Sequence, residues 1–410
     1  MHGLENILIS AFGAVSLTWA ALSVYVLADR GLYDLRRRSV DAAHDLLDPR
    51  LLDSGQRDDQ LSDILAGLSR RTIERIAADA STPPALARAF AVSAASGDRS
   101  KRLVRRASSH RTELGRWRRV AALRILARAG HADALPLLSR AVIDRDPELR
   151  GAAVAILGSI EDEGAAKVLL EALRLEAYAP SRIATHLESF PLPIDHLIRP
   201  LLADGKPVVR FWAVTLLGRY GRAPGSATEM VGLADDPDPN VRAAVAETLG
   251  SASRCELGDE TIRRLVGDPV WFVRAHAARS AGLLRLDSEA PRIAALLADE
   301  QWWVRAAAKN ALESFGADAS AAVVSALDHP DAFARNGAAE VLQNSGFLGD
   351  LLGSIAWASR PTPSSIALLQ KIFDEGGPLL RAAALERIEP QRRRRVESLL
   401  AEAAPRAEVA

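Results

Sequence analysis

One short phrase recurs along most of this chain, and it limits the fold more than any other feature. An apolar residue is followed by Arg, by a small residue three places after that Arg, and by an apolar or small residue four places further on. It reads Leu149-Arg150-Ala153-Leu157, Val209-Arg210-Ala213-Leu217 and Val241-Arg242-Val245-Leu249. It returns as Val273-Arg274-Ala277-Ala281, Val304-Arg305-Ala308-Leu312 and Ala334-Arg335-Ala338-Leu342, with weaker copies at Arg119, Arg182 and Arg381. From Arg119 to Arg335 the arginines lie 28–32 residues apart, the period of a two-helix repeat. A chain of 410 residues exceeds what one compact core usually holds. Stacked repeats escape that limit, because each unit packs only on its neighbours.

The residue types suit a helical hairpin. Asp146-Pro147, Asp238-Pro239 and Asp268-Pro269 each offer a capping carboxylate followed by a proline suited to the first helical position. The apolar residue and those four and eight places later share one helix face and are expected inside. The small middle residue allows close approach of the next unit. Gly158, Gly218, Gly250 and Gly282 are expected to end their helices. The recurring arginines Arg150, Arg210, Arg242, Arg274, Arg305 and Arg335 are expected to bridge to loop aspartates, a structural role.

The ends depart from the repeat. Ile7 to Ala28 is a run of 22 residues without charge, about 33 Å of helix and enough to cross a hydrocarbon core. Only His2 and Glu5 precede it, whereas Arg30, Arg36, Arg37 and Arg38 follow, which predicts an N-terminus outside and repeats in the cytoplasm. A cleaved signal peptide is the rival, weakened by the absence of Lys or Arg before the run and by its length. The expected organisation is an anchor over 1–30, a juxtamembrane helix and linker over 31–60, repeats over 61–390 and a basic, then Ala- and Glu-rich tail over 391–410. Within the repeats, Leu61 to Ala78 and Ala85 to Ala95 read as helices, and the regular pattern spans about 100–345. It weakens from Gly346 to Pro390, with breaks at Pro361, Pro363 and Gly376-Gly377-Pro378.

The Asp-Pro, Val-Arg, Ala and Leu-Gly spacing resembles the bacterial HEAT-like repeats associated with phycobilin lyases, over residues 100–345 and more loosely 60–390. The resemblance implies an all-α solenoid whose second helices line the concave side, here preceded by one transmembrane helix. Another enzyme family of this fold, deoxyhypusine hydroxylase, carries iron on repeated His-Glu pairs, and none of the eight histidines here precedes a Glu. There is also no Gly-rich phosphate loop, no Cys-x-x-Cys and no Gly-x-Ser-x-Gly elbow. A single cysteine excludes an internal disulfide. Neither catalytic residue, metal site nor cofactor is expected.

Three surfaces stand out. The first is aromatic: Trp271 and Trp302 share one repeat position, and Phe272, Trp303 and Phe333 share the next, with Phe211-Trp212 nearby in phase. Aromatic rings can anchor a partner or fill space between repeats. Trp302 and Trp303 cannot both point inward, so one of them is expected at the surface, and packing is expected for about half of the rings. The second is the position six after the apolar residue, reading Thr215, Glu247, Arg279, Asn310 and Glu340. Its mixed charge suits a protein partner rather than nucleic acid. The third is a basic belt of Lys101, Arg102, Arg105, Arg106, Arg111, Arg116, Arg118, Arg119, Arg124 and Arg128, joined late in the chain by Arg392 to Arg395. It could meet anionic lipid or nucleic acid, or be a solvated helix face.

With a net charge of zero, the chain is read as a single-pass protein of the bacterial inner membrane. The repeats are a non-catalytic scaffold that binds or regulates a protein partner there, by analogy beside envelope or polysaccharide-synthesis machinery. The alternatives are a lyase-like or chaperone-like subunit holding a cofactor or client, and a nucleic-acid or lipid binder acting through the belt.

Overall fold

The computed structural model describes residue 65 and residues 68–82, 84–109, 113–220, 226–252 and 255–403. The expected anchor at 7–28, the juxtamembrane helix and the end of the tail lie outside the described residues. Among the described residues all regular structure is helical, and no helix is long and apolar enough to cross a membrane. The chain forms two compact units, Met1–Ala172 with Glu176–Ala179, and Leu173–Leu175 with Pro180–Ala410.

In the first unit, α1 (Arg70–Ala78) pairs with α2 (Pro84–Ala94), and α3 (Asp98–Ala107) pairs with α4 (Glu113–Arg128). Helix α5 (Ala134–Val142) pairs with α6 (Pro147–Leu157), which packs on α4. Helix α1 begins at Arg70, where Ser69 caps it by accepting a hydrogen bond from the Thr72 N–H; residues 61–64, 66 and 67 of the expected helix lie outside the described residues. Helix α7 (Glu163–Arg174) contains residues of both units.

The second unit continues with α8 (Pro180–Glu188), α9 (Asp195–Ile198), α10 (Pro207–Tyr220), α11 (Ser226–Val231) and α12 (Pro239–Ser251). Next come α13 (Glu256–Leu265), α14 (Trp271–Leu283), α15 (Ala290–Ala295), α16 (Trp302–Phe315), α17 (Ser320–Ala326) and α18 (Ala332–Asn344). The chain closes with α19 (Phe347–Trp357), α20 (Pro363–Glu386) and α21 (Pro390–Ala403). Each of α10, α12, α14, α16 and α18 packs on the next in series, and each also pairs with the shorter helix before it. Val209, Val241, Val273 and Val304 are fully buried, as are Ala213, Val245, Ala277 and Ala308 at the small position. The phrase therefore builds a continuous apolar seam between successive second helices.

Two local expectations change. Gly218, Gly250 and Gly282 lie inside their helices rather than ending them, and none of the three has positive φ. Their role is close approach: a Cβ on Gly250 would sit 2.9 Å from the Ser280 Cα, and one on Gly282 would sit 2.9 Å from the Ala311 Cα. Asp146 and Asp238 do cap α6 and α12, accepting from the Glu148 and Asn240 N–H groups. Asp268 does not cap α14, whose N-cap is Val270; it belongs one turn earlier, equivalent to Asp236.

Residues 391–403 of the expected tail are helical. Gly377, at φ 77°, kinks α20 before Pro378. Helix α21 then packs on α19 and α20 with Val396 and Leu400 buried, so helical packing extends past Pro390 to Ala403.

Candidate functional site

The recurring arginines make a ladder. In α10, Arg210 donates through Nε and Nη2 to both oxygens of Asp236 at 2.7 and 2.8 Å, and through Nη1 to the Asp204 carbonyl at 2.9 Å. Arg242 repeats this on Asp268 at 2.8 and 3.0 Å and on the Asp236 carbonyl at 2.8 Å. Arg274 does so on Asp299 at 2.8 and 3.0 Å and on the Asp268 carbonyl at 2.9 Å. Each arginine thus joins the loop of its own repeat to the loop of the next. Arg119 has a related pair with Asp144 in the first unit at 3.0 Å, while Arg150 donates to the Asp144 and Arg145 carbonyls at 2.8 and 3.2 Å.

Bidentate Arg–carboxylate pairs are strong and geometrically specific. The hydrogen bonds that Arg210 donates to Asp236 raise its pKa, and those that Arg242 donates to Asp268 raise its own, against burial in both cases. Burial pushes the Asp236 carboxyl up, but the hydrogen bonds from Arg210 and the Asp238 N–H, with the Arg210 and Arg242 charges, hold it below its ordinary range. These groups are fully engaged with one another, so the ladder is a brace.

The ladder stops at a substitution. His329 stands where the next aspartate is due. Its Nδ1 accepts from the Asp331 N–H at 3.1 Å, copying the turn in which Asp268 accepts from the Val270 N–H at 2.8 Å. The turn survives, but the carboxylate for Arg305 is lost. Arg305 keeps its own-loop bonds to the Asp299 and Glu300 carbonyls at 2.7 and 3.1 Å, and its guanidinium lies 4.8 Å above the Phe333 ring. Arg335 reaches 40 residues on, to Glu375, at 2.7 Å.

The aromatic residues sit at the starts of α14, α16 and α18. Trp302 is 59% exposed, Trp303 61%, Phe333 64% and Trp271 38%. Both Trp302 and Trp303 therefore face out, where one was expected to. They support each other edge to face, with ring centroids 4.7 Å apart. Phe272, half-buried, makes the same contact with Trp271 at 5.6 Å, and half-buried Phe211 and Trp212 do so at 5.0 Å.

Seven residues on from Phe272, Trp303 and Phe333 come Arg279, Asn310 and Glu340, on the same helix faces. All three are exposed, as is Glu247 on α12. Thr215 differs, half-buried and donating to the Phe211 carbonyl at 3.0 Å. Glu340 accepts from Lys309 at 2.6 Å. His276 Nδ1 lies 3.6 Å from a Glu247 carboxylate oxygen. Burial lowers the His276 pKa, with Glu247 opposing the shift and Arg279 adding to it. The face is thus aromatic at one end and of mixed charge beyond.

The basic belt does not form one free cationic surface. Arg106 pairs with Glu74 at 3.0 Å, Lys101 with Asp98 at 3.1 Å, Arg116 with Asp146 at 2.6 Å and Arg119 with Asp144. Arg124 and Arg128 turn onto the Ala78, Ala77 and Asp79 carbonyls at 2.7–2.9 Å, closing the C-terminus of α1. Burial lowers the pKa of both. Arg102, Arg105 and Arg118 remain exposed; Arg111 lies outside the described residues. Among the described residues no group of three or more His, Cys, Asp or Glu is placed to hold a metal ion.

Residues 116–186, 194–261, 233–313 and 259–343 match the HEAT-repeat family, together more than half of the chain. The chain belongs to the HEAT-repeat family. Its stacked second helices and shared repeat positions are that family's architecture in this sequence. Among solved structures, an engineered protein is 17% identical with a TM-score of 0.39, over 86% of this chain and 97% of its own. Kap121p is 14% identical with a TM-score of 0.42, over 85% of this chain. This HEAT-repeat chain spans 46% of the Kap121p length. Human deoxyhypusine hydroxylase in complex with glycerol is 18% identical with a TM-score of 0.26, over 60% of this chain and 96% of its own. No curated protein matches.

The sequence had shown the ladder arginines but not their partners, although an acid recurs 25 or 26 residues after Arg119, Arg210, Arg242 and Arg274. It gave no signal for exposed Trp117 or Trp357.

Proposed function

We propose that this HEAT-repeat solenoid is a non-catalytic scaffold that binds a protein partner across α14, α16 and α18, and that the segment at 7–28 tethers it to a bacterial inner membrane. The exposed Trp302–Trp303 pair carries the reading. Two large rings held edge to face in water, with Trp271 and Phe333 in register on the neighbouring helices, suit the anchor of an interface. The polar positions beyond them, Glu247, Arg279, Asn310 and Glu340, supply both signs of charge for register with a folded or extended partner. The tether rests on the uncharged run, and its one-sided arginines favour a cytoplasmic side for the repeats. Anchoring raises the local concentration of the scaffold near membrane partners.

The test is in-cell crosslinking and recovery of the tagged protein from native membranes, beside a Trp302→Ala/Trp303→Ala variant. A specific protein should be recovered with the wild type and fall by tenfold or more with the variant, in line with the loss of about 2 kcal/mol at a hot spot. Equal recovery sinks the aromatic face as the interface. A reporter fused after Ala410 that is active only in the periplasm sinks the orientation.

A further inference from the structure

The last helices enclose a feature the proposed scaffold face does not use. Leu348, Leu352 and Ala356 of α19 floor a cavity of about 260 Å³, and the end of α20 and the start of α21 close its sides. Trp357 forms one wall and is 68% exposed, with the Arg392 guanidinium stacked on its ring. The volume falls below the usual range for a whole small-molecule ligand and suits one bulky side chain.

The rim carries a net positive charge, with Arg387 and Arg392 lining the cavity against Glu389. Arg387 is exposed; its backbone N–H donates to the Leu385 carbonyl, while its guanidinium has no hydrogen-bond or ion-pair partner among the described residues. Between residues 386 and 397 there are five arginines (387, 392, 393, 394, 395) and three glutamates (386, 389, 397). Arg393 and Arg395 spend donors on carbonyls, Arg393 on Leu385 and Arg395 on Ala358 and Ser359. A carbonyl satisfies a guanidinium hydrogen bond but leaves its charge uncompensated. Arg392 alone of these has a carboxylate, that of Glu389 at 3.3 Å.

We infer that this cavity binds a short acidic segment of a partner protein, one bulky apolar side chain seated on Leu348, Leu352 and Ala356 against Trp357, and flanking carboxylates meeting Arg387 and its neighbours. The excess positive charge at the rim selects an acidic occupant over a basic or neutral one. An apolar anchor in a pocket with a charged rim is the usual anatomy of such a contact. The site lies outside the aromatic face of α14, α16 and α18, so either can fail without the other.

Gly353 provides a clean test. It lines the cavity, and a Cβ there would meet nothing within 4 Å outside its own helix turn, so a side chain at this position grows into open space. Leu is also the better helix former. The probe is a fluorescein-labelled peptide, Glu-Glu-Leu-Phe-Glu-Glu, titrated against the full chain and followed by anisotropy. Saturable binding is expected, weaker by tenfold or more for Gln-Gln-Leu-Phe-Gln-Gln and for Glu-Glu-Ala-Ala-Glu-Glu. Gly353→Leu and Arg387→Glu should each weaken it by a similar factor with no loss of thermal stability, and Trp302→Ala/Trp303→Ala should leave it intact. Equal binding to Gly353→Leu, equal binding of the neutral peptide, loss in the double tryptophan variant, or no saturation at about 1 mM each overturns the site.

Discussion

The repeats from Asp204 to Phe315 and the hairpins after Asn344 solve the same problem in different ways. In the former, the part-buried guanidinium groups of Arg210, Arg242 and Arg274 each meet a carboxylate one repeat away, and glycines let consecutive helices touch. In the latter, Arg393 and Arg395 settle on carbonyls, glycines on α19 face open space, and a cavity remains. Regular spacing allows charge neutralisation and close packing to recur together. Once the spacing slips after His329, both are lost together, and the result is unfilled volume and unbalanced charge.

The largest break in this comparison comes from the ladder itself. Asp268→Ala leaves the Arg242 guanidinium, 12% exposed, without its anion. It is expected to lose roughly 3 kcal/mol in urea unfolding, the range for breaking a buried pair from one side. Removing Glu375 from Arg335, where the partners are 28% and 26% exposed, should cost less than half as much. Equal losses would show that the ladder is no better buried than the end of the chain.

Glycines give the next contrast. Gly250→Ala forces a Cβ to 2.5 Å from the Ser280 Cβ and should destabilise by about 2 kcal/mol. Gly353→Ala meets nothing and should stabilise by about 0.5–1 kcal/mol, through helix propensity alone. Matching signs in thermal melting would mean that close approach does not distinguish the two regions.

His329→Asp extends the regular region by one step. The new carboxylate would keep the turn that His329 Nδ1 now makes and would face Arg305. A gain of about 1 kcal/mol is expected, as for a charge-assisted hydrogen bond partly offset by desolvation. No gain would mean that the Phe333 ring already serves Arg305 equally well.

The smallest effect is in acid. Asp236 and Asp204 have folded pKa values below their ordinary ones, Asp204 chiefly through the Lys206 N–H. A depressed carboxyl contributes stability that is present above its unfolded pKa and lost as pH falls through the folded value. Unfolding free energy should therefore fall below about pH 4, and more shallowly in Asp236→Asn. Parallel acid profiles would remove Asp236 from the account.

Much of this was legible in the sequence, because period and residue type report directly on packing. Val241 and Val273 at one phase, with Val245 and Ala277 four places on, could only be an inward face, and all four are fully buried. Gly250 misled because a glycine near a helix end reads the same whether it terminates the helix or yields to a neighbour. Asp268 misled because Asp-Pro looks alike at a cap and one turn before it. Exposure of both Trp302 and Trp303 was beyond spacing arguments, since it depends on what the adjacent helices bring alongside. The cavity under Trp357 had no sequence signal, for it arises where the pattern fails.

Asp268 carries one further consequence. Its carboxylate holds the arginine of the preceding repeat, and its backbone carbonyl holds the arginine of its own. No repeat between Arg210 and Asp299 can melt without releasing a clasp on its neighbour. Such coupling makes a linear array lose its members in blocks rather than singly. Pulled from its ends, this stretch should give way in one long rip, with fraying confined to the hairpins beyond His329.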